Sequence, residues 1–299
     1  MVPDDRVGLR ATQGASHQPL DGTRDCRGND TAWDCHIHFT TARLSPAQKG
    51  ALKPHRIRYW LTPPEDPHRE ETIRAICRVY HDAPSLHQQG ERIVSTDELT
   101  GVQALERKHP GLPLAPGHVQ RREFEYERHG TRCFILSRNV VTGKLVAPFC
   151  GPTRTEEDFL AHAQAVVATD PHVPRWHFVC DNLNIHQSEA LVRWVAELEG
   201  IEQETLGKKG EYGILALMPR RAAFLADPSH KVVFHYTPKH SSWLNQIEIW
   251  LSILVRKVLR RGSFSSVNDL ETKVLTFIAN YNQTAKPFKW TYQGKPLTI

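Results

Sequence analysis

The chain has 299 residues, 39% hydrophobic and 24% charged, which suits a globular protein of one sizeable domain with an appendage, or of two small domains. No stretch approaches the roughly 18 apolar residues of a membrane span, and the opening MVPDDRVGLR lacks the apolar core of a secretory signal; a cytoplasmic location without a membrane partner is expected. The net charge of +5 is unevenly placed: residues 231–299 hold ten Lys/Arg and three Asp/Glu, a net of +7, which leaves −2 for residues 1–230. A basic end on a near-neutral body is either a surface for a polyanion or a solvated helix face.

In chain order, residues 1–44 show no sustained period of 2 or 3.6 and are expected to be disordered. The basic, aromatic LKPHRIRYW (52–60) and the breaker TPPEDP lead to a predicted helix from about Pro67 to His81, with Ile73, Ile76, Cys77 and Tyr80 on its apolar stripe. RIVSTD (92–97) reads as a short strand ending on an acid. After a Pro- and Gly-rich loop (109–117), FEYERHG and TRCFILSRNVV read as strands, the second pairing with KLVAPFC (144–150) through the TG turn at 142–143. Thr153 with Glu156 fits a capping box for a helix through RTEEDFLAHAQAVVA. WHFVC (176–180) is a strand, and SEALVRWVAELE (188–199) a helix capped by Ser188. After an excursion over about 200–231, VVFHYT (232–237) is a strand, SSWLNQIEIWLSILVRKVLRR (241–261) a long amphipathic helix, and 267–281 a last helix. Hairpin strands followed by strand–helix alternation predict an α/β domain with a mixed sheet flanked by helices.

Cysteines 26, 35, 77, 133, 150 and 180 lack CxxC spacing and are expected to be reduced thiols. Cys26, Cys35, His36 and His38 lack the paired spacings of zinc sites, and GKKGEYG is not a phosphate-binding P-loop.

The stretch FVCDNLNIH (178–186) ends an apolar run on Asp181. That carboxylate either caps the following turn or holds a cation. Functional groups of open α/β sheets gather beyond the carboxyl ends of strands, and Asp97 ends another predicted strand. If the two strands are neighbours, the paired carboxylates repel unless a cation lies between them, and Mg²⁺ suits a few carboxylates with water and phosphate oxygens. A third acid, Glu248, flanks the apolar stripe Leu244, Ile247, Leu251, Leu254 and Val258, between Trp243 and Trp250, which read as core residues. It is the only acid between Asp227 and Asp269.

STDELTGVQALERKHPGLPLAPG, GPTRTEEDF, DNLNIH and YTPKHSSWLNQIEIWLSILVRKVLRRGSF together resemble the DDE endonuclease domain of mariner-related bacterial insertion-sequence transposases, of the insertion-sequence 630 family, over residues 52–292. The resemblance implies a ribonuclease H-like, retroviral integrase-type fold. It makes Asp97, Asp181 and Glu248 the three catalytic, metal-holding acids of a two-metal phosphoryl transfer, with Mg²⁺ as cofactor and Mn²⁺ able to substitute. The expected activity is cleavage at transposon ends and strand transfer into target DNA, by a homodimer close to the nucleoid. Asn182, His186 and Asn245 are expected to support the acids. Lys239, His240, Arg256, Lys257, Arg260 and Arg261 are expected to grip DNA backbone.

The implied division is 1–44 unassigned, 45–88 a linker and helix left from a DNA-binding region, and 89–299 the catalytic domain with its insertion at about 200–231. Two departures stand out. Sixty-six residues separate Asp181 from Glu248, about twice the usual mariner spacing, and residues 1–44 do not resemble the helix-turn-helix expected at the start, so the chain reads as N-terminally truncated. The alternative is a silent remnant that binds DNA nonspecifically or pairs with full-length copies.

Overall fold

The computed structural model describes residues 66–294, all within the unit Leu61–Ile299. The expectations for residues 1–65, including Cys26, Cys35, His36 and His38, lie outside the described residues.

Helix α1 (Arg69–Gln88) leads into strands β1 (Arg92–Arg107), β2 (Tyr126–Asn139) and β3 (Leu145–Gly151). Then come α2 (Glu156–Ala168), β4 (Trp176–Cys180), α3 (Glu189–Leu198), the two-residue strands β5 (Gly207–Lys208) and β6 (Tyr212–Gly213), α4 (Met218–Leu225) and β7 (Val232–Tyr236). Helices α5 (Ile247–Leu254) and α6 (Val267–Gln283) follow. Five strands form one sheet in the order β3-β2-β1-β4-β7. β2 is antiparallel to β1 and β3, whereas β4 runs parallel to β1 and β7 parallel to β4. This is the mixed sheet of a ribonuclease H-like fold.

Both faces of the sheet are covered, and the period of two assigns each residue to its side. Val94, Ile135, Phe178, Cys180 and Phe234 pack with Phe159 of α2, Leu191 and Val195 of α3 and Leu225 of α4. The intervening residues face the other way. Phe134 and Leu136 meet Ile247, Trp250, Leu254, Val274 and Ile278 of α5 and α6, while Ile93 and Val179 meet Ile73, Ile76 and Tyr80 of α1. Leu206 and Leu215 of the 200–231 excursion are fully buried in the first of these cores. The excursion is therefore packed structure.

Several boundaries differ from the sequence reading. β1 does not stop at Asp97 but continues for ten residues, because β2 supplies an antiparallel partner as far as Arg107 and register shifts after Leu99 and Gln103 absorb the irregularity at Gly101. FEYERHG and TRCFILSRNVV are not two strands; one strand crosses Gly130, whose φ of 122° is open to glycine. Helix α1 runs on through Pro84 to Gln88. The cap of α2 is Thr155, not Thr153: its Oγ1 accepts from Asp158 N–H, while Asp158 Oδ2 accepts from Thr155 N–H and Thr153 Oγ1, both at 2.8 Å.

The largest difference lies in 241–261, where a single helix is replaced by a 3₁₀ turn (Ser242–Leu244), α5, and a π turn (Val255–Leu259). Asn245 is extended, at φ −83° and ψ 107°, because its side chain is drawn into β1. Helix α5 starts only after it, and Ser95 Oγ accepts the Ile247 N–H at 2.8 Å in place of a local cap.

Candidate active site

The parallel ladder between β1 and β4 ends at Ser95 and Val179. Two residues further along the chain from each are Asp97, within β1, and Asp181, just past the end of β4, so the register that pairs the strands also brings the two carboxylates to the same end of the sheet. Asp97 lies within β1, and its place in the site is fixed by where β4 stops. Glu248 arrives from the first turn of α5, which Ser95 and Asn245 tie to the same part of β1. Asn245 Nδ2 donates to Thr96 O at 2.9 Å and to Asp97 Oδ2 at 3.3 Å, and its Oδ1 accepts from Ser95 Oγ.

The acids influence one another's ionisation. Burial pushes the Asp97 carboxyl up to about 8, and the neighbouring charges of Glu98, Asp181 and Glu248 add to the rise. Glu248 is also raised, by burial and then by Asp181. Asp181 goes the other way. Burial would raise it, but a hydrogen bond and charge from His186, together with the Leu183 N–H at 3.0 Å, bring it below the usual range. The site thus holds one firmly ionised acid beside two that resist ionising, an arrangement a cation would relieve. Among the described residues, the three acids do not form a group with all ligand atoms within 4.8 Å of one another; the group that does is Glu106, Glu127 and His129. That second cluster lies nine residues beyond Asp97 on β1, about 30 Å along the strand, with Glu106 facing Glu127 and His129 paired to Glu106 at 2.7 Å.

The other anticipated residues divide. Asn245 touches Asp97 directly. Asn182, expected to orient an aspartate, instead donates to Thr237 O and accepts from Gln187 Nε2, tying the end of β4 to the end of β7. His186, expected to support the acids, is fully buried: Nδ1 lies 2.9 Å from Asp181 Oδ1 and Nε2 lies 2.7 Å from Glu98 Oε1. Lys239 and His240 are exposed ahead of the Ser242–Leu244 turn, and Lys239 O accepts from Arg69 Nη1. Arg256, Lys257, Arg260 and Arg261 are exposed beyond the end of α5, about 12 to 20 Å from Glu248 at helical rise. There Arg260 and Arg261 join Arg107, Arg122 and Gln120 around a groove of about 290 Å³. Trp250 is buried core, but Trp243 is 40% exposed and packs edge-on against Tyr292, contrary to its expected core position.

Two residues of the site escaped the sequence reading. Ser95 and Glu98 flank Asp97 and each engages another element. The signal for Glu98 is the tandem of acids: on a strand, Asp97 and Glu98 point to opposite faces, so one of them must enter a packed layer, where a carboxylate requires a partner.

The family model for DDE superfamily endonucleases matches residues 92–271, from the first residue of β1 into α6. The chain belongs to the DDE superfamily endonucleases. No curated protein matches it. Among solved structures this DDE endonuclease is similar to a pre-cleavage Mos1 transpososome, at 12% identity and a TM-score of 0.43, over 75% of this chain and 59% of that one. It is also similar to the catalytic domain of Mos1 mariner transposase, at 13% identity and a TM-score of 0.41, over 74% of this chain and 85% of that one. The chain thus spans less than two thirds of the transpososome chain's length.

Proposed function

We propose that the protein is the catalytic domain of a DNA transposase of the mariner-related, insertion-sequence 630 type, in which Asp97, Asp181 and Glu248 hold two divalent cations. The observation that carries this reading is that the parallel pairing of β1 with β4 brings Asp97 and Asp181 to the same end of the sheet, while Ser95 and Asn245 anchor there the start of α5, which carries Glu248. Three carboxylates from three elements, far apart in sequence, influence one another's ionisation, and Asp97 and Glu248 resist ionising. An all-oxygen donor set of this kind suits Mg²⁺, with Mn²⁺ as a substitute.

When bound, such ions supply a nucleophilic water or hydroxyl and neutralise charge on the phosphate and the leaving oxygen. The chain's own part is positional. Asp97 interacts with both of the other acids and would be the group suited to hold both ions. Asn245 holds Asp97 Oδ2 and Glu98 N–H holds Asp97 Oδ1, which limits the rotation of the carboxylate. Asp181 is held ionised by His186, and Glu248 is carried in by a helix start anchored on Ser95. The cationic groove of Arg107, Arg122, Arg260 and Arg261 is suited to DNA phosphates, which makes DNA the substrate and leaves Arg256, Lys257, Lys239 and His240 as outer backbone contacts. Transposon ends as first substrate, target DNA as second and a homodimer as the working unit belong to the same reading.

The test is nicking of supercoiled DNA by the full chain with Mn²⁺, compared with Asp181→Ala. Nicking by the wild type, and its loss by at least a hundredfold in the variant, supports the reading; equal nicking by both sinks it. A wild type that binds Mn²⁺ and folds but cleaves nothing indicates a silent remnant.

A further inference from the structure

Behind the acids lies a second charged layer. Glu98 leaves β1 on the face opposite Asp97 and enters the core between the sheet and α2, where its side chain is only 2% exposed. It meets the ring of His186, which is fully buried against Phe159 at a centroid distance of 4.4 Å. Nε2 faces Glu98 Oε1 at 2.7 Å, Nδ1 faces Asp181 O at 3.0 Å and Asp181 Oδ1 at 2.9 Å, and the Cys180 thiol also contacts the ring. The ring therefore bridges the buried Glu98 carboxyl to the side chain and backbone of Asp181. Asp181 Oδ1 is further engaged by Leu183 N–H, while no hydrogen bond among the described residues engages Oδ2.

We propose that Glu98 is a positioning residue of this centre, acting through His186 to lock the Asp181 carboxylate so that Oδ2 remains for a divalent cation. The proposal rests on the two-metal reading above and deepens it. A buried ion pair is a poor way to gain stability, since an apolar pair of the same volume commonly serves as well or better. A chain from an interior carboxylate through a histidine to a ligand atom follows the logic by which outer partners orient metal ligands. His186 cannot reach a substrate, because none of its surface is exposed.

A control is built into the same strand. His177, near the opposite end of β4, makes a similar pair with Glu91, Nε2 to Oε2 at 2.6 Å, but has no link to the acids. The experiment is a calorimetric Mn²⁺ titration of the metal-free full chain as wild type, Glu98→Gln, Glu98→Asp and His177→Gln, with thermal melts and Mn²⁺-dependence of nicking alongside. Glutamine keeps the length and shape of the side chain but is a weaker acceptor, so it loosens the grip on the His186 ring. The expected result is Mn²⁺ binding weakened about 10- to 100-fold in Glu98→Gln, partly recovered in Glu98→Asp and unchanged in His177→Gln. In nicking, the half-saturating Mn²⁺ rises more than the saturated rate falls. If Glu98→Gln does not melt cooperatively, His186→Gln takes its place with the same expectation. Wild-type Mn²⁺ affinity in Glu98→Gln, or an equal loss in His177→Gln, overturns the proposal by making the pair merely structural. Failure of the two-metal reading itself shows separately, as Asp181→Ala binding Mn²⁺ and nicking like the wild type.

Discussion

Replacing Asp97 by asparagine is expected to stabilise the metal-free protein in mildly alkaline solution while abolishing cleavage. The Asp97 carboxyl stands at about 8 in the fold against an ordinary 3.8, mainly because it is buried and then because Glu98, Asp181 and Glu248 surround it. A folded value above the unfolded one means that its contribution to stability is intact below about pH 4 and is lost as pH rises towards 8. Roughly four units at about 1.4 kcal/mol each bound that loss near 6 kcal/mol. Asp181 beside it is 41% exposed, so solvent screens part of the repulsion and a working figure is about 2–4 kcal/mol. Asparagine removes this repulsion but has one acceptor oxygen where Asp97 uses two, for Glu98 N–H and Asn245 Nδ2, which costs about 1 kcal/mol. The net gain near pH 8 is about 1–3 kcal/mol, or roughly 3–9 °C in Tm for a domain of this size. Near pH 4 only the missing hydrogen bond counts, so the variant is the weaker protein. Thermal melts of both proteins in EDTA, from about pH 4 to about pH 8, check this. A Tm difference that keeps one sign and size across the range refutes the account of a crowded acidic pocket.

Adding Mn²⁺ to the metal-free wild type is expected to raise its Tm, by the equivalent of about 2.7 kcal/mol at a hundred times Kd; Asp97→Asn should lose most of that rise in the same melts. Ser95→Ala removes the acceptor of the Ile247 N–H and a donor to Asn245, so a loss of about 1–3 kcal/mol is expected in urea unfolding, with nicking reduced more than stability alone explains. Arg260→Ala with Arg261→Ala is expected to weaken DNA binding and to flatten the plot of log affinity against log salt by about 0.9 for each phosphate that is no longer neutralised. An unchanged slope in binding titrations would remove these residues from the DNA surface.

Much of the sheet was legible because β4, β7 and the core half of β2 are short or alternating apolar runs whose period survives in the sequence, as WHFVC and VVFHY show. Asp97 and Asp181 could be paired from sequence because ligands collect beyond strand ends, although β1 continues past its acid. What could not be read is what long-range contacts decide. Asn245 breaks a pattern that is helical by every local measure, and it does so because Ser95, 150 residues away, receives its side chain. Glu98 is an ordinary neighbour of Asp97 in the sequence, and only the fold sets His186 behind it. Trp243 lies beside apolar residues in the sequence, yet the 3₁₀ turn swings it to the surface.

The excursion between α3 and β7 has a consequence for how such chains can vary. It departs after Leu198 and rejoins at Val232, which pairs with Trp176 at the start of β4, so both junctions sit at the end of the sheet remote from the carboxylates. Its buried Arg221 reaches back to the Gln187 and Leu215 carbonyls, at 2.7 and 2.8 Å, and so steadies the turn that carries His186. Trimming back past Arg221 would loosen that turn from below, whatever the length of the chain that leads to it. The number of residues separating the last two acids is therefore a poor ruler for the chemistry.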